Sequence, residues 1–195
     1  MKKIFTLAVV ALLGVAGVQA QSVKINKTDG TTVTIKASEI KNIEFSPAET
    51  GETIVGDYKG DNSLLVGGTI GPYVAKDAVY TVTKNADGSI NLKSHEEKYN
   101  GTVMGDLTLG TYTIGNIPFD AATKSYVRDY SADGLTVHFV CVSGGETTMD
   151  SDYTFKQGNV TIVQGENGEL KITNTYTIGN MPFPITATFN GVKSE

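Results

Sequence analysis

Apolar and polar residues alternate in short runs along most of this chain, and glycine-containing pairs punctuate the runs. Leu170, Ile172, Tyr176 and Ile178 share one parity, and a period of two places such residues on one face of a strand. Asp-Gly pairs at 29–30, 87–88 and 133–134 and Asn-Gly pairs at 100–101, 167–168 and 190–191 accept the positive φ angles of tight hairpins. The segments between them are rich in Val, Ile, Thr, Tyr and Phe. The pattern predicts strands near 53–59, 63–67, 77–84, 88–95, 102–114, 125–130, 135–142, 147–156, 159–164, 168–178 and 183–189. Short strands with regular turn signals mean an antiparallel all-β sandwich or barrel. Only 120–130 competes as a helix, with Asp120 as its cap and Phe119, Ala122, Tyr126 and Tyr130 near one face; the strand reading is the one adopted.

One phrase occurs twice. Residues 111–119 read TYTIGNIPF and residues 175–183 read TYTIGNMPF, identical but for Ile117 against Met181. In each copy Tyr and Ile fall on one face of a strand and the threonines on the other. Each copy then reads as a strand that runs into a turn at Gly-Asn and resumes at Pro-Phe. In the second copy the apolar parity continues upstream through Leu170 and Ile172. In the first, Leu107 and Leu109 are out of phase with Tyr112 and Ile114, so a bulge or kink is expected at Gly110.

A separate segment, 22–45, precedes this pattern. Val23 and Ile25, then Val33 and Ile35, flank Asp29-Gly30 as in a hairpin, and Ser46 to Gly51 reads as a linker. A lone two-stranded hairpin is marginal in water, so this segment is expected to pack on the main domain or on a partner, or to stay mobile. The organisation expected is a signal peptide at 1–20, an N-terminal hairpin and linker at 21–47, and a barrel domain at 48–195. Lys2 and Lys3 precede an apolar stretch from Ile4 to Val18, and Val18-Gln19-Ala20 is a small-x-small cleavage signal, the form of a secretory leader. The stretch is short for a membrane span, and no cysteine follows the cleavage signal to carry a lipid. A secreted or periplasmic protein with no membrane span in the mature chain is expected.

Composition narrows the partners. With 16 basic and 21 acidic side chains the formal net charge is −5 at pH 7, and loss of Lys2 and Lys3 makes it more negative. Such a chain is repelled by nucleic acid. Cys141 is the only cysteine, so no internal disulfide forms; within the run Val137 to Val142 it reads as a buried strand residue.

The runs Gly56-Asp57-Tyr58-Lys59-Gly60, Asn85 to Leu92, Met104 to Leu109 and Ile185 to Gly191 together resemble the calycin-like domains of secreted bacterial proteins, relatives in shape of the lipocalins. The resemblance spans about residues 51–192. It implies an up-and-down barrel of about eight strands and brings no known activity with it. Lipocalins open with Gly-x-Trp, and an arginine from the last strand covers the Trp. Here Tyr58 stands in the Trp position, the chain has no Trp, and Arg128, in mid-chain, is the only arginine. The segment 22–45 resembles a short module often found ahead of such exported domains.

Little in the sequence carries reaction chemistry. His95, in Ser94-His95-Glu96-Glu97-Lys98, reads as part of a solvated face, and His138 as a core or barrel-lining residue; neither has metal-ligand spacing. Asp150 and Asp152 share a parity and read as an exposed acidic face. Asp57, Asp61 and Asn62 read as hairpin polar residues. No nucleophile elbow, phosphate loop or dinucleotide fingerprint occurs. No cofactor, no metal and no enzymatic activity are expected. The residues expected to line the barrel are Tyr58, Tyr112, Ile114, Phe139, Tyr176 and Ile178. An eight-stranded barrel is either filled by its side chains or holds one small ligand. Two functions stay open: a carrier of a small apolar or amphipathic molecule, or a non-enzymatic interaction module that meets an exported protein partner.

Overall fold

The structure, a computed structural model, describes residues 22–26, 30–41, 54–165 and 168–194. The leader, the linker at 46–51 and the first residue of each of the Asp29-Gly30 and Asn167-Gly168 turns lie outside these residues. The chain divides into two units, Met1–Thr50 and Gly51–Glu195. In the first, β1 (Ser22–Asn26) pairs antiparallel with β2 (Thr32–Lys36), Val23 opposite Ile35 and Ile25 opposite Val33. A short 3-10 turn, Ala37–Glu39, follows.

Among its described residues the second unit is built of strands and turns. β3 (Gly56–Val66) and β4 (Ile70–Lys84) are long. β5 (Ile90–Ser94) and β6 (Glu97–Thr102) make one strand, interrupted at His95-Glu96. β7 (Gly105–Leu109), β8 (Thr113–Ile117) and β9 (Phe119–Asp120) make the next. β10 (Ser125–Asp129) and β11 (Thr136–Ser143) follow, then β12 (Glu146–Gln164), β13 (Glu169–Ile178) and β14 (Ile185–Lys193). Each composite strand pairs antiparallel with its neighbour in sequence, and β14 returns to pair with β3 from Ile185 opposite Val66 to Lys193 opposite Tyr58. Among the described residues the ladder therefore closes as an up-and-down barrel, which removes the sheet edges that an open meander would expose.

Alternation decides which side chains face in. Along β13 buried positions alternate with exposed or half-buried ones, and the buried ones are Leu170, Ile172, Asn174, Tyr176 and Ile178. The interior is aromatic. Phe155 lies 4.9 Å from the Tyr112 ring, 4.8 Å from Tyr176 and 5.9 Å from Tyr130. Tyr80 meets Phe189 at 4.6 Å. Such tilted and edge-on pairs add to burial, which stabilises by about 1.5–3 kcal/mol per large apolar side chain.

Several predicted boundaries move. The segments 53–59 and 63–67 are one strand, because Gly60, Asp61 and Asn62 continue it through a bulge rather than turning. The segments 147–156 and 159–164 are likewise joined through an irregularity at Gln157-Gly158. Residues 125–129 are strand, not helix. The strand does break at Gly110, between Leu109 and Thr113. Ser94 holds the break, its backbone N–H donating to the Tyr112 carbonyl at 2.9 Å and its Oγ accepting from the Tyr112 N–H at 3.1 Å.

The two copies of the repeated phrase differ beyond their tyrosines. The second ends in a turn as expected, Gly179 taking φ +54°. The first does not. Its strand runs on to Ile117 through Gly115-Asn116, because β5 extends to Ile90 and supplies Ile117 with a partner. Asn116 absorbs the extra residue at φ +51°. The Arg128 guanidinium on β10 donates to the Gly115 carbonyl on β8 and forks onto Asp133, at 2.9 Å and 2.8 Å, tying β10 to β8 at this bulge.

Candidate functional site

All six residues expected to line the barrel are buried: Tyr58, Tyr112, Ile114, Phe139, Tyr176 and Ile178. Tyr112 and Tyr176, the equivalent residues of the two repeats, pack on the same Phe155 ring, so both copies face one interior. Tyr58 donates its hydroxyl to the Ile54 carbonyl at 2.9 Å.

The interior also holds a polar cluster that the sequence reading placed outside. Glu97 is 2 % exposed and Asn62 1 %. Asn62 Nδ2 lies 2.9 Å and 3.0 Å from the two Glu97 carboxylate oxygens, 2.9 Å from Tyr80 Oη and 3.0 Å from Tyr99 Oη. Tyr99 donates to Glu97 Oε2 at 2.6 Å. A second group adjoins it: Tyr130 donates to Asn174 Oδ1 at 2.7 Å, and Asn174 Nδ2 lies 3.4 Å from Tyr112 Oη. Asn62 Oδ1 is buried without a hydrogen-bond partner.

The strands explain this placement. Asn62 shares the parity of Tyr58 and Leu64 on β3, and Glu97 that of Tyr99 on β6. Each therefore points where its apolar neighbours point. The signal was present in the sequence as a polar residue on an otherwise apolar parity, as at Asn174 between Ile172 and Tyr176.

Burial sets the protonation chemistry. Removal from water raises the Glu97 pKa above the ordinary carboxylate value, against the opposing hydrogen bonds from Tyr99, Asn62 and Tyr80. Burial, and then the negative charge of Glu97, push the Tyr99 and Tyr112 hydroxyls far up. Among the described residues the buried polar side chains are Asn62, Ser89, Ser94, Glu97, Ser125 and Asn174. None is a base, so the carboxylate has no interior counter-charge.

His138 does not line the barrel, although its apolar run suggested that it would. It lies on the outer face, half exposed, with Nδ1 2.7 Å from Asp152 Oδ1 and Nε2 3.0 Å from Asp150 Oδ1. Val137, Phe139 and Cys141 take the inward parity of β11, which leaves His138 outside, opposite Asp152. Cys141 is buried. His95 is half buried, its Nε2 3.0 Å from Thr81 Oγ1, while its neighbours Ser94 and Glu97 are inside. Asp57 and Asp61 are surface residues that meet Thr81 and Lys76. Among the described residues no group of three or more His, Cys, Asp or Glu is arranged to hold a metal ion.

One end of the barrel differs from the other. Its four turns join β3 to β4, β6 to β7, β11 to β12 and β13 to β14. They touch in places: the Gly67 N–H donates to the Pro184 carbonyl at 2.8 Å, and the Val103 N–H to Tyr73 Oη at 3.3 Å. Residues 67–72, 103–105, 143–145 and 179–184 include no charged side chain. Exposed apolar residues stand there instead: Ile70, Val103 (76 %), Met104, Val142 and Phe183 (53 %). The opposite end carries Asp87, Asp120, Lys124 and Glu169.

A family model described as the calycin-like beta-barrel domain matches residues 54–192. The chain belongs to this family. The match spans the closed ladder from its first strand to its last, so the calycin-like barrel and the second unit coincide. Among solved structures, the chain is similar to a Bacteroides fragilis NCTC 9343 protein described as a "putative outer membrane protein". The two are 22 % identical with a TM-score of 0.48, and the alignment covers 88 % of this chain and 61 % of that one. This chain thus spans less than two thirds of that protein's length. No curated protein matches the calycin-like chain.

Proposed function

We propose that this chain is an exported binding protein whose calycin-like barrel takes one small amphipathic molecule, the polar end of that molecule reaching the cluster around Glu97 and Asn62. The observation that carries this reading is the orphaned Asn62 Oδ1 beside an interior carboxylate. A barrel that needed only to be filled gains nothing from them. Burying a polar atom without a partner costs about 1–3 kcal/mol, and an uncompensated buried charge costs several more. A ligand group at that point recovers part of the cost. Half-buried Val66, Tyr73, Leu107, Met149, Tyr153 and Met181 pack on the hydrophobic core and offer apolar surface for the rest of the molecule. Met149 and Met181 among them have side chains that adapt to irregular shapes. The leader-like first residues support export. The role proposed is binding, not catalysis.

Native mass spectrometry of the protein purified from its native host tests this reading. A bound small mass that leaves on denaturation is expected; a clean unliganded mass from every exported preparation overturns it.

The uncharged end of the barrel favours a second reading, an interaction module whose partner presents an apolar, uncharged surface on an exported or cell-surface assembly. Contiguous exposed apolar residues mark such contacts. Under this reading Val103→Asp with Phe183→Asp abolishes co-purification of that partner and leaves the barrel folded. Under the first reading the double variant still carries its ligand.

A further inference from the structure

We infer that the buried end of the ligand is a cation, a primary or secondary ammonium that pairs with Glu97 and donates to Asn62 Oδ1. This inference rests on the barrel being a ligand site.

Hydrogen-bond accounting points to it. A carboxylate offers about four lone-pair positions. The donors that reach Glu97 are the Asn62 amide and the Tyr99 and Tyr80 hydroxyls, and the same amide hydrogens are shared with the Tyr80 and Tyr99 oxygens. The remaining unmet atom, Asn62 Oδ1, is also an acceptor. The cluster lacks donors, then, and has acceptors to spare. An anion or a simple acceptor brought there would compete for the same few hydrogens.

Charge and hydroxyl chemistry agree. No basic side chain is buried among the described residues, so nothing of the protein's own neutralises Glu97 inside the barrel. An ammonium brings up to three N–H donors and the missing charge together. Tyr80 and Tyr99 stand at the cluster through their hydroxyls, whose oxygens can also accept from an ammonium. Cavities that receive a carboxylate, phosphate or sulfonate are furnished with Arg, Lys or backbone N–H groups; this interior has the opposite equipment.

Three probes of one size separate the possibilities: phenethylamine, a cation at pH 7; 2-phenylethanol, neutral; and phenylacetate, an anion. Each is titrated into the full chain. With no Trp in the chain, intrinsic tyrosine fluorescence reads the interior directly, and thermal unfolding gives an independent measure. Phenethylamine alone is expected to quench and to raise the melting temperature. Glu97→Gln, which keeps the side-chain shape, is expected to weaken it at least tenfold while the variant stays folded. Failure of phenethylamine to bind overturns the cation inference, as does equal binding to the Gln variant. Binding of 2-phenylethanol or phenylacetate in its place leaves the ligand reading standing. If none of the three binds and native mass spectrometry is clean, both fall.

Discussion

Asn62 and Glu97 stand 35 positions apart in sequence yet meet inside the barrel, with Asn62 Nδ2 2.9 Å and 3.0 Å from the two carboxylate oxygens. The pair joins β3 to β6 across the interior, on strands that are not ladder neighbours. Its energetics set the first two predictions.

Glu97→Gln removes a buried charge and keeps the side-chain outline. The folded-state pKa of Glu97 is raised, so folding favours the protonated acid. The stability this gives is fully present below the unfolded carboxylate value near 4.3 and is lost as pH rises through the folded pKa. The variant should therefore match the parent in acid and exceed it at neutral pH, by about 1–3 kcal/mol. Urea unfolding across pH 3.5–8 measures the difference; a gap independent of pH would contradict the assignment.

Asn62→Leu withdraws the amide that faces both Glu97 oxygens and leaves the carboxylate buried with only the Tyr99 and Tyr80 hydroxyls as donors. A loss of about 3–5 kcal/mol is expected at pH 7. Adding Glu97→Leu should restore much of it, because removing both partners is far cheaper than removing one. Strict additivity of the two substitutions in a double-mutant cycle would show that the pair does not interact.

Gly158→Ala tests the packing of Tyr130. A Cβ at Gly158 would lie 2.2 Å from Tyr130 Cε2, inside the van der Waals limit and against a ring held on Phe155 and Asn174. A destabilisation of about 1–3 kcal/mol is expected, measured by chemical denaturation. Tyr130→Ala on the same background should make the added methyl nearly neutral.

His138 should titrate above an ordinary histidine. The Asp152 hydrogen bond is the first cause and the nearby negative charges of Asp152 and Asp150 add to it. The protonated ring is the favoured form in the folded chain, so its small contribution is present below the unfolded pKa of about 6.5 and disappears as pH rises through the folded value. NMR titration of the ring proton gives the value directly, and Asp152→Asn should lower it. An unchanged value in that variant would mean that the contact does not persist in solution.

The barrel was legible because alternation and turn chemistry agree over most of its length. Gly110 announced its kink through the phase slip between Leu109 and Tyr112, and Tyr176 and Ile178 declared an inward face. The polar cluster was not read, since three-letter stretches such as Gly60-Asp61-Asn62 look like turns when composition is weighed ahead of parity. Glu97 was hidden in the same way by Glu96 and Lys98 on either side. His138 went to the wrong face because the run from Val137 to Val142 is apolar on both parities, and only the pairing of β11 with β7 and β12 chooses between them. The repeated phrase shows the limit most plainly: the same Gly-Asn is a bulge where a partner strand continues and a turn where it stops.

The pairing of β14 with β3 sets the order in which this molecule can come into being. A chain made from its N-terminus presents β3 early and β14 last, with the whole meander between them. Until Gly191 arrives beside Gly60, β3 keeps one row of backbone groups unanswered and the interior stays open to water. Closing so long a loop is entropically costly and slow, and the buried carboxylate cannot lose its hydration before that moment. Loss of the last strand would remove one wall and leave two raw edges, on β3 and on β13, where the finished barrel has none.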